Sequence, residues 1–239
     1  MSAPILQTIG LTAHYGDFQA LYGVDFELHA GETVAIIGAN GAGKSTFLRS
    51  LTGLLLNGAE MIRFDGEAIG SMPPSRGVEL GLAMVPEGRR LFSSLSVEEN
   101  LLIGGQHTQR TGFWTLETVF ELFPVLKDRR NNPGQTLSGG QQQMVAIGRA
   151  LLSNPKVLLC DEISLGLAPI VIKDIYDAVP TIKAQGTAMV VVEQDINQAL
   201  AVADRVFCFQ EGRVSLSGRP SELTREQIKA AYFGLKEAA

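Results

Sequence analysis

The most chemically pointed stretch of this chain is Gly38-Ala39-Asn40-Gly41-Ala42-Gly43-Lys44-Ser45-Thr46, a run of spaced glycines that ends in a lysine and two hydroxyls. Glycines at 38, 41 and 43 remove side chains, so successive backbone N–H groups can turn inward and converge on a polyphosphate as an anion nest. The apolar run Thr33-Val34-Ala35-Ile36-Ile37 before it reads as a buried strand, and Phe47-Leu48-Arg49-Ser50-Leu51 after it reads as a helix. Strand, glycine loop and helix are the context such a loop requires. The helix beginning at Lys44 adds the positive end of its dipole, Lys44 can reach terminal phosphates, and the Ser45 hydroxyl is placed for a magnesium ion. A glycine-rich turn arising by chance would not also supply Lys and Ser at these positions.

Two further groups have matching chemistry. Asp161 and Glu162 end the apolar run Val157-Leu158-Leu159-Cys160, and strand geometry sends neighbouring side chains to opposite sides. Beside a bound polyphosphate, the first acid suits a magnesium ion and the second suits orienting and deprotonating a water. The plain alternative is an ordinary turn with two acids. Leu137-Ser138-Gly139-Gly140-Gln141 sets a hydroxyl and two bare residues before a helix that runs Gln142 to Leu152, a start again suited to anions. Its plain reading is a capped helix. One chain has no evident need for a second phosphate-binding helix start, whereas a second copy facing the first would use it.

The elements that must position these groups follow from periodicity. Ile5 to Leu11 and Leu21 to Leu28 read as strands, Met61 to Phe64 as another closed by Asp65-Gly66, and Ala83-Met84-Val85 as a short buried one after a helix that Pro73-Pro74 opens. From Glu87 to about Ser153, helical spacing recurs at Val97 to Ile103, Leu116 to Phe123 and Gln141 to Leu152, which predicts a helical insertion. Strands resume at Val157 to Asp161, Ala188 to Glu193 and Val206 to Phe209, with helices at Ile170 to Lys183 and Ile196 to Ala203 between them. Apolar strands alternating with helices predict a parallel sheet covered on both faces. Arg213 to Leu216 suggests a late edge strand and Arg225 to Phe233 a terminal helix.

Composition narrows the function classes. At 239 residues the chain can bury a sizeable core, and 45% of it is apolar. A formal net charge of -5 leaves no global basic field for nucleic acid or an anionic membrane, so phosphate affinity must be local. Gly is the unusual count, at 26, and the excess gathers at positions 38 to 43 and 139 to 140. Cys160 and Cys208 lie in separate apolar runs and read as buried hydrophobes, not a disulfide. His14, His29 and His107 lack metal-ligand spacing, and Trp114 beside Phe113 suits packing. Arg89 and Arg90 suit pairing with acids or solvation, and Glu98 and Glu99 after Ser96 suit a helix start. Met1-Ser2-Ala3-Pro4 lacks the regions of a signal peptide, and no apolar run approaches a membrane span, so the expected location is the cytoplasm.

Leu-Ser-Gly-Gly-Gln some hundred residues after the phosphate loop, shortly before an apolar strand ending Asp-Glu, resembles an ATP-binding-cassette ATPase over essentially the whole chain. That resemblance implies an α/β fold: a P-loop (RecA-like) core with a mostly parallel sheet, an N-terminal antiparallel β-subdomain and an inserted helical subdomain. Residues 1–86 and 154–239 would form the core with its antiparallel part, and 87–153 the helical subdomain. It implies ATP and Mg2+, with the nucleotide held by Tyr15 stacking on adenine and by Gly38, Asn40, Gly41, Ala42, Gly43, Lys44, Ser45 and Thr46. Tyr15 also suits a core aromatic at a strand end. The family pairs head to tail, so Ser138, Gly139, Gly140 and Gln141 would serve the partner's nucleotide.

Val85-Pro86-Glu87-Gly88-Arg89-Arg90-Leu91-Phe92, Thr136 to Val145, Ser164-Leu165-Gly166-Leu167-Ala168-Pro169, Val192-Glu193-Gln194 and Ala231-Tyr232-Phe233-Gly234 are most similar to ATPase subunits of branched-chain amino acid importers. Urea-importer ATPases look similar but usually have Gln where this chain has Glu87. Four positions depart from the general cassette pattern. Glu87 replaces a Gln that senses metal and water; a carboxylate can bind the metal but cannot donate when ionised. Gln194 replaces the switch His, losing a titratable ring but keeping a donor for a phosphate oxygen. Ile163 replaces Pro, and Ala168 an Asp that speaks to the opposing subunit. The departures bear on hydrolysis rate and on communication between sites. The resemblance implies a catalytic set of Glu162, Lys44, Gln194 and Glu87, and a metal set of Ser45, Asp161 and Glu87. Its expected partners are membrane permease subunits, a second cassette ATPase and, indirectly, a periplasmic solute-binding protein, with no nucleic acid. The expected place is the cytoplasmic side of the membrane, attached through the permease. The rival expectation is a weakly hydrolysing ATP-binding clamp beside a more active partner.

Overall fold

The computed structural model describes residues 3–106 and 108–234, so the reading of His107 lies outside the described residues. Two long strands open the chain, β1 (Leu6–Tyr15) and β2 (Phe18–Leu28). They outrun the expected spans because Gly16, at φ 58°, lets the chain reverse between Tyr15 and Phe18. β3 (Thr33–Ile37) follows, then α1 (Lys44–Leu51) and β4 (Ile62–Phe64). Asp65 and Gly66, both at positive φ, turn the chain into β5 (Glu67–Ala68), a two-residue strand too short to show a periodic signal. α2 (Pro74–Leu80) ends on left-handed Gly81 and leads into β6 (Leu82–Val85).

The next stretch is helical: α3 (Val97–Ile103), α4 (Leu116–Leu122), α5 (Pro124–Asp128) and α6 (Gly139–Leu151). Ser96, Thr115 and Ser138 begin α3, α4 and α6 with reciprocal capping boxes. The chain then runs through β7 (Val157–Asp161), α7 (Pro169–Asp177), α8 (Val179–Ala184), β8 (Ala188–Glu193) and α9 (Ile196–Val202). It finishes with β9 (Arg205–Gln210), β10 (Arg213–Gly218) and α10 (Arg225–Phe233). The single helix expected from Ile170 to Lys183 is two, broken at Ala178, because Pro180 has no N–H to donate and its ring crowds the carbonyl one turn back. Pro124 likewise ends α4 before Phe123, which it holds out of the helical region.

Four strands form one sheet in the order β2-β1-β4-β5, antiparallel throughout, and six form the other in the order β10-β9-β3-β8-β7-β6. In the second sheet only the edge strand β10 is antiparallel. β3, β7 and β8 are buried along their whole length, as continuous apolar runs in a doubly covered parallel sheet should be. Alternate residues serve different layers. Leu158, Cys160, Met189 and Val191 pack with the helical stretch and α7, while Val157, Leu159, Val190 and Val192 pack with α1 and the antiparallel sheet. Ala35 and Ile37 of β3 face α9 and α10. Among the described residues, no helix is long and apolar enough to cross a membrane.

Two packing features matter for the site. Phe47 of α1 meets Phe26 of β2 and Phe209 of β9, each with ring centroids 5.2 Å apart, and Phe26 meets Phe207 at 4.9 Å. This aromatic chain binds both sheets to the helix that follows the glycine loop. Farther along, Gly104 lies so close to α6 that a Cβ there would stand 1.8 Å from the Arg149 carbonyl oxygen. Gly104 has helical φ, so Gly104→Ala tests sterics alone. The expected cost is about 1–3 kcal/mol, read as a lowered urea midpoint; an unchanged midpoint would show that α3 and α6 can part freely.

Candidate active site

The glycine loop joins the end of β3 to α1 under tight confinement. A Cβ on Gly38 would stand 2.4 Å from the Phe209 carbonyl oxygen, and one on Gly43, at φ 103°, would stand 2.9 Å from Leu21 Cδ2. No side chain fits at either point. Gly43 is the N-cap of α1 and offers no capping group, so the N–H groups of Lys44, Ser45 and Thr46 have no helical acceptor. They face an open cleft of about 910 Å³ lined by Tyr15, Phe18, Asn40, Gly41, Gly43, Lys44, Ser45, Thr46, Glu87, Glu162, Leu165 and Gln194. Gly38 and Ala42 are buried behind that lining.

Lys44 is only 5% exposed, and its ammonium donates to the carbonyls of Gly38 at 2.7 Å and Ala39 at 3.2 Å. Burial lowers its pKa, while the charges of Glu162, Asp161 and Glu193 act to raise it. Glu162 Oε1 stands 4.0 Å away.

The two acids do take different environments. Asp161 ends β7 at 6% exposure, and its Oδ1 has no hydrogen-bond partner. Burial, then the charges of Glu162 and Glu87, push its carboxyl up to about 6. Glu162 leaves the strand in the left-handed region at φ 47°, donates its N–H to Val192 O at 3.0 Å, and accepts from Gln194 Nε2 at 2.7 Å. Glu87 is exposed at the cleft wall. The orphaned carboxylate oxygen of Asp161, which feels the charges of Glu162, Glu87 and Lys44 of the cleft wall, and the exposed Ser45 in that cleft are oxygen donors that fit magnesium, which takes one or two protein oxygens and completes its shell with phosphate and water.

Tyr15 is 42% exposed at the mouth of the cleft, and Phe18, its cross-strand partner, is 68% exposed there. Directly paired residues of an antiparallel ladder share a face, so both rings are presented on the cleft side. Phe18 escaped the sequence reading, although its pairing across Gly16-Asp17 was the available signal. Ser138 caps α6, its Oγ accepting from the Gln141 N–H at 3.3 Å while Gln141 Oε1 accepts from the Ser138 N–H at 3.0 Å. None of Ser138, Gly139, Gly140 and Gln141 lines the cleft of its own chain. Gly140 abuts α7: a Cβ there would stand 2.2 Å from Val171 Cγ1.

Of the two expectations for Arg89 and Arg90, pairing with acids or solvation, no ion pair forms among the described residues, and Arg90 is exposed while Arg89 is half-buried. Both have left-handed φ, the Arg89 guanidinium lies against Gly139, and Arg149 of α6 donates to the carbonyls of Arg89 at 3.1 Å and Arg90 at 2.9 Å. Of the other departures, Ile163 is 2% exposed in the core beside Ile175 and Tyr176, where its size fits the layer. Ala168 begins α7 without a side-chain cap.

The Asp161 shift has a pH consequence. Its folded value of about 6 lies above the usual ~3.9, so between these values the folded chain binds more protons, and stability falls as pH rises through that window. Asp161→Asn removes the titrating group. In metal-free urea titrations from pH 4 to pH 8, the variant is expected to show a shallower fall than the parent; parallel slopes would refute the assignment.

Residues 21–164 match the family model described as ABC transporter. The chain is 45% identical over 226 residues to the high-affinity branched-chain amino acid transport ATP-binding protein BraG of Pseudomonas aeruginosa, covering 94% of this chain and 97% of that protein. It is 31% identical over 225 residues to a probable branched-chain amino acid transport ATP-binding protein LivF of Archaeoglobus fulgidus, covering 93% and 95%. Among solved structures, a nucleotide-free ATP-binding cassette from an ABC transporter superposes with TM-score 0.82 at 29% identity, covering 95% of this chain and 94% of that one. An ATP-binding cassette in its ADP conformation superposes with TM-score 0.80 at 29% identity, covering 96% and 94%.

Proposed function

The chain belongs to the ABC transporter family of ATP-hydrolysing cassettes, and from that premise we propose that it powers an importer of branched-chain or related amino acids. The observation behind the solute class is the 45% identity to BraG along nearly the full length of both chains. Its working place is then the cytoplasmic face of the membrane, held there by permease subunits. A second cassette completes the site, and a periplasmic binding protein delivers the solute.

The geometry supports hydrolysis in the following way. The open amides of Lys44, Ser45 and Thr46 and the positive end of α1 bind the phosphates of ATP. Lys44 exchanges the carbonyls of Gly38 and Ala39 for a terminal phosphate oxygen, a short swing for a side chain already at the cleft. Tyr15 stacks on the base. Ser45 and Asp161 would hold magnesium, with Glu87 as a further oxygen donor at the cleft wall; the ion supplies charge neutralisation of the phosphates when bound. Glu162 orients a water and takes its proton as the oxygen attacks the terminal phosphorus, and the bond to the ADP oxygen breaks. Gln194 holds Glu162 before the attack and donates to the terminal phosphate in turn. Ser138, Gly139, Gly140 and Gln141 close the far side of the nucleotide bound to the opposing cassette. ATP-driven closure of the pair moves the permease helices, and phosphate release lets the pair part.

Gln194 and Ala168 favour a second reading, a clamp that binds ATP and contributes its α6 start to a more active partner while turning over little itself. The two readings separate on Glu162→Gln. Loss of a positioned general base lowers turnover by about 100-fold or more, with ATP binding retained, measured on the chain together with its partner cassette. Unaltered hydrolysis in Glu162→Gln, with the equivalent change in the partner abolishing it, establishes the clamp instead.

A further inference from the structure

Among the described residues, Asp161 and Glu193 are the buried acids, and hydrolysis as outlined above does not use Glu193. It ends β8 beside Ile37 at the end of β3 and is 2% exposed. No Lys, Arg or His among the described residues forms an ion pair with it. Three donors satisfy it instead. The Ser164 N–H reaches Oε1 at 3.2 Å, the Tyr176 hydroxyl reaches Oε1 at 2.6 Å, and the Ser164 hydroxyl reaches Oε2 at 2.6 Å. Burial pushes the carboxyl up, and these donors oppose the shift. A carboxylate among apolar strands is costly unless saturated in this way, and every donor here comes from the loop and helix that follow Glu162.

The consequence lies at Glu162. Its φ of 47° is a conformation that L residues avoid and that persists only where the surroundings over-determine it. Three ties surround it: the Glu162 N–H to Val192 O, Ser164 to the Glu193 carboxylate, and Gln194 Nε2 to Glu162 Oε2. We propose that Glu193 is a positioning residue for hydrolysis, gripping Ser164 and Tyr176 so that Glu162 keeps its left-handed backbone and Gln194 stays within reach of it. Glu193 does not line the cleft, so it acts through this geometry. Tyr176 ties the Glu193 carboxylate to α7, making the loop from Glu162 to Ala168 a strap fixed at both ends.

The proposal rests on the reading of Glu162 as the base, and the test separates the two. The full-length chain is assayed with its partner cassette for ATP kcat and KM, for binding of a fluorescent ATP analogue, and for thermal midpoint. Glu193→Ala is expected to lower kcat about 10- to 100-fold, the scale of a misplaced catalytic group, with KM and analogue affinity within threefold of the parent. Glu193→Gln is expected to restore kcat to within about threefold, because its amide oxygen accepts from the Ser164 N–H and Tyr176 hydroxyl while its NH2 donates to the Ser164 oxygen. Tyr176→Phe and Ser164→Ala, which remove single donors and keep the core filled, give the same reading at smaller amplitude if Glu193→Ala does not fold. Parental kcat in Glu193→Ala, with Glu162→Gln inactive, overturns the positioning role of Glu193 alone. A lowered thermal midpoint with kcat per folded molecule unchanged overturns it too, as does a Glu193→Gln variant as slow as Glu193→Ala. Parental kcat in Glu162→Gln overturns the base assignment and the positioning role of Glu193 with it.

Discussion

A buried ammonium that must stay charged is the constraint on which this site depends. Lys44 is almost wholly enclosed, and enclosure alone favours its neutral form. Glu162, Asp161 and Glu193 oppose that tendency, and two loop carbonyls accept its hydrogen bonds. Asp161 ends β7, Glu162 follows it and Glu193 ends β8, and β8 pairs with both β7 and β3, which brings the three acids beside the glycine loop. Burial, with the charges of Glu162 and Glu87 added to it, pushes the Asp161 carboxyl up, and its Oδ1 has no hydrogen-bond partner. The site sets one cation among several acids on one side and amides without helical acceptors on the other, a charge pattern that suits a polyphosphate together with a metal.

What was legible in the sequence was local. The glycine loop, the Asp161-Glu162 pair and the capped start at Ser138 each lie within ten residues, and each needs only one strand end or helix start to take shape. Continuous apolar runs likewise announced the parallel strands. Illegible features depend on partners far away in the chain. Gln194 meets Glu162 only because β8 pairs with β7 in one register, and Glu193 finds Tyr176 only because α7 folds back across the same strands. A carboxylate ending an apolar run was visible; its role was not. The break at Ala178 was written in Pro180 but masked by apolar spacing that continued through it. The reach of β1 to Tyr15 depended on a turn whose residues could as well end a strand.

The positions that set this chain apart from the general cassette pattern fall into two kinds. Ile163 is absorbed by packing: it fills the layer between β7 and α7, so its effect is on the rigidity of the strap after Glu162. Glu87 and Gln194 line the cleft, and Ala168 is exposed at the start of α7. Gln194 keeps a neutral donor where a ring would titrate, so its contact with Glu162 does not depend on its own protonation. Glu87 adds negative charge to a cleft already rich in it.

Arg149 grips the carbonyls of Arg89 and Arg90 from the flank of α6, and Gly104 seats α3 directly on the same helix. The segment bearing Glu87 is thereby geared to α6: a rotation of that helix that swings Ser138 through space turns the wall of the nucleotide cleft with it. The chain thus behaves less like a set of loops around a ligand than like a crank, in which the handle and the shaft are machined from one piece.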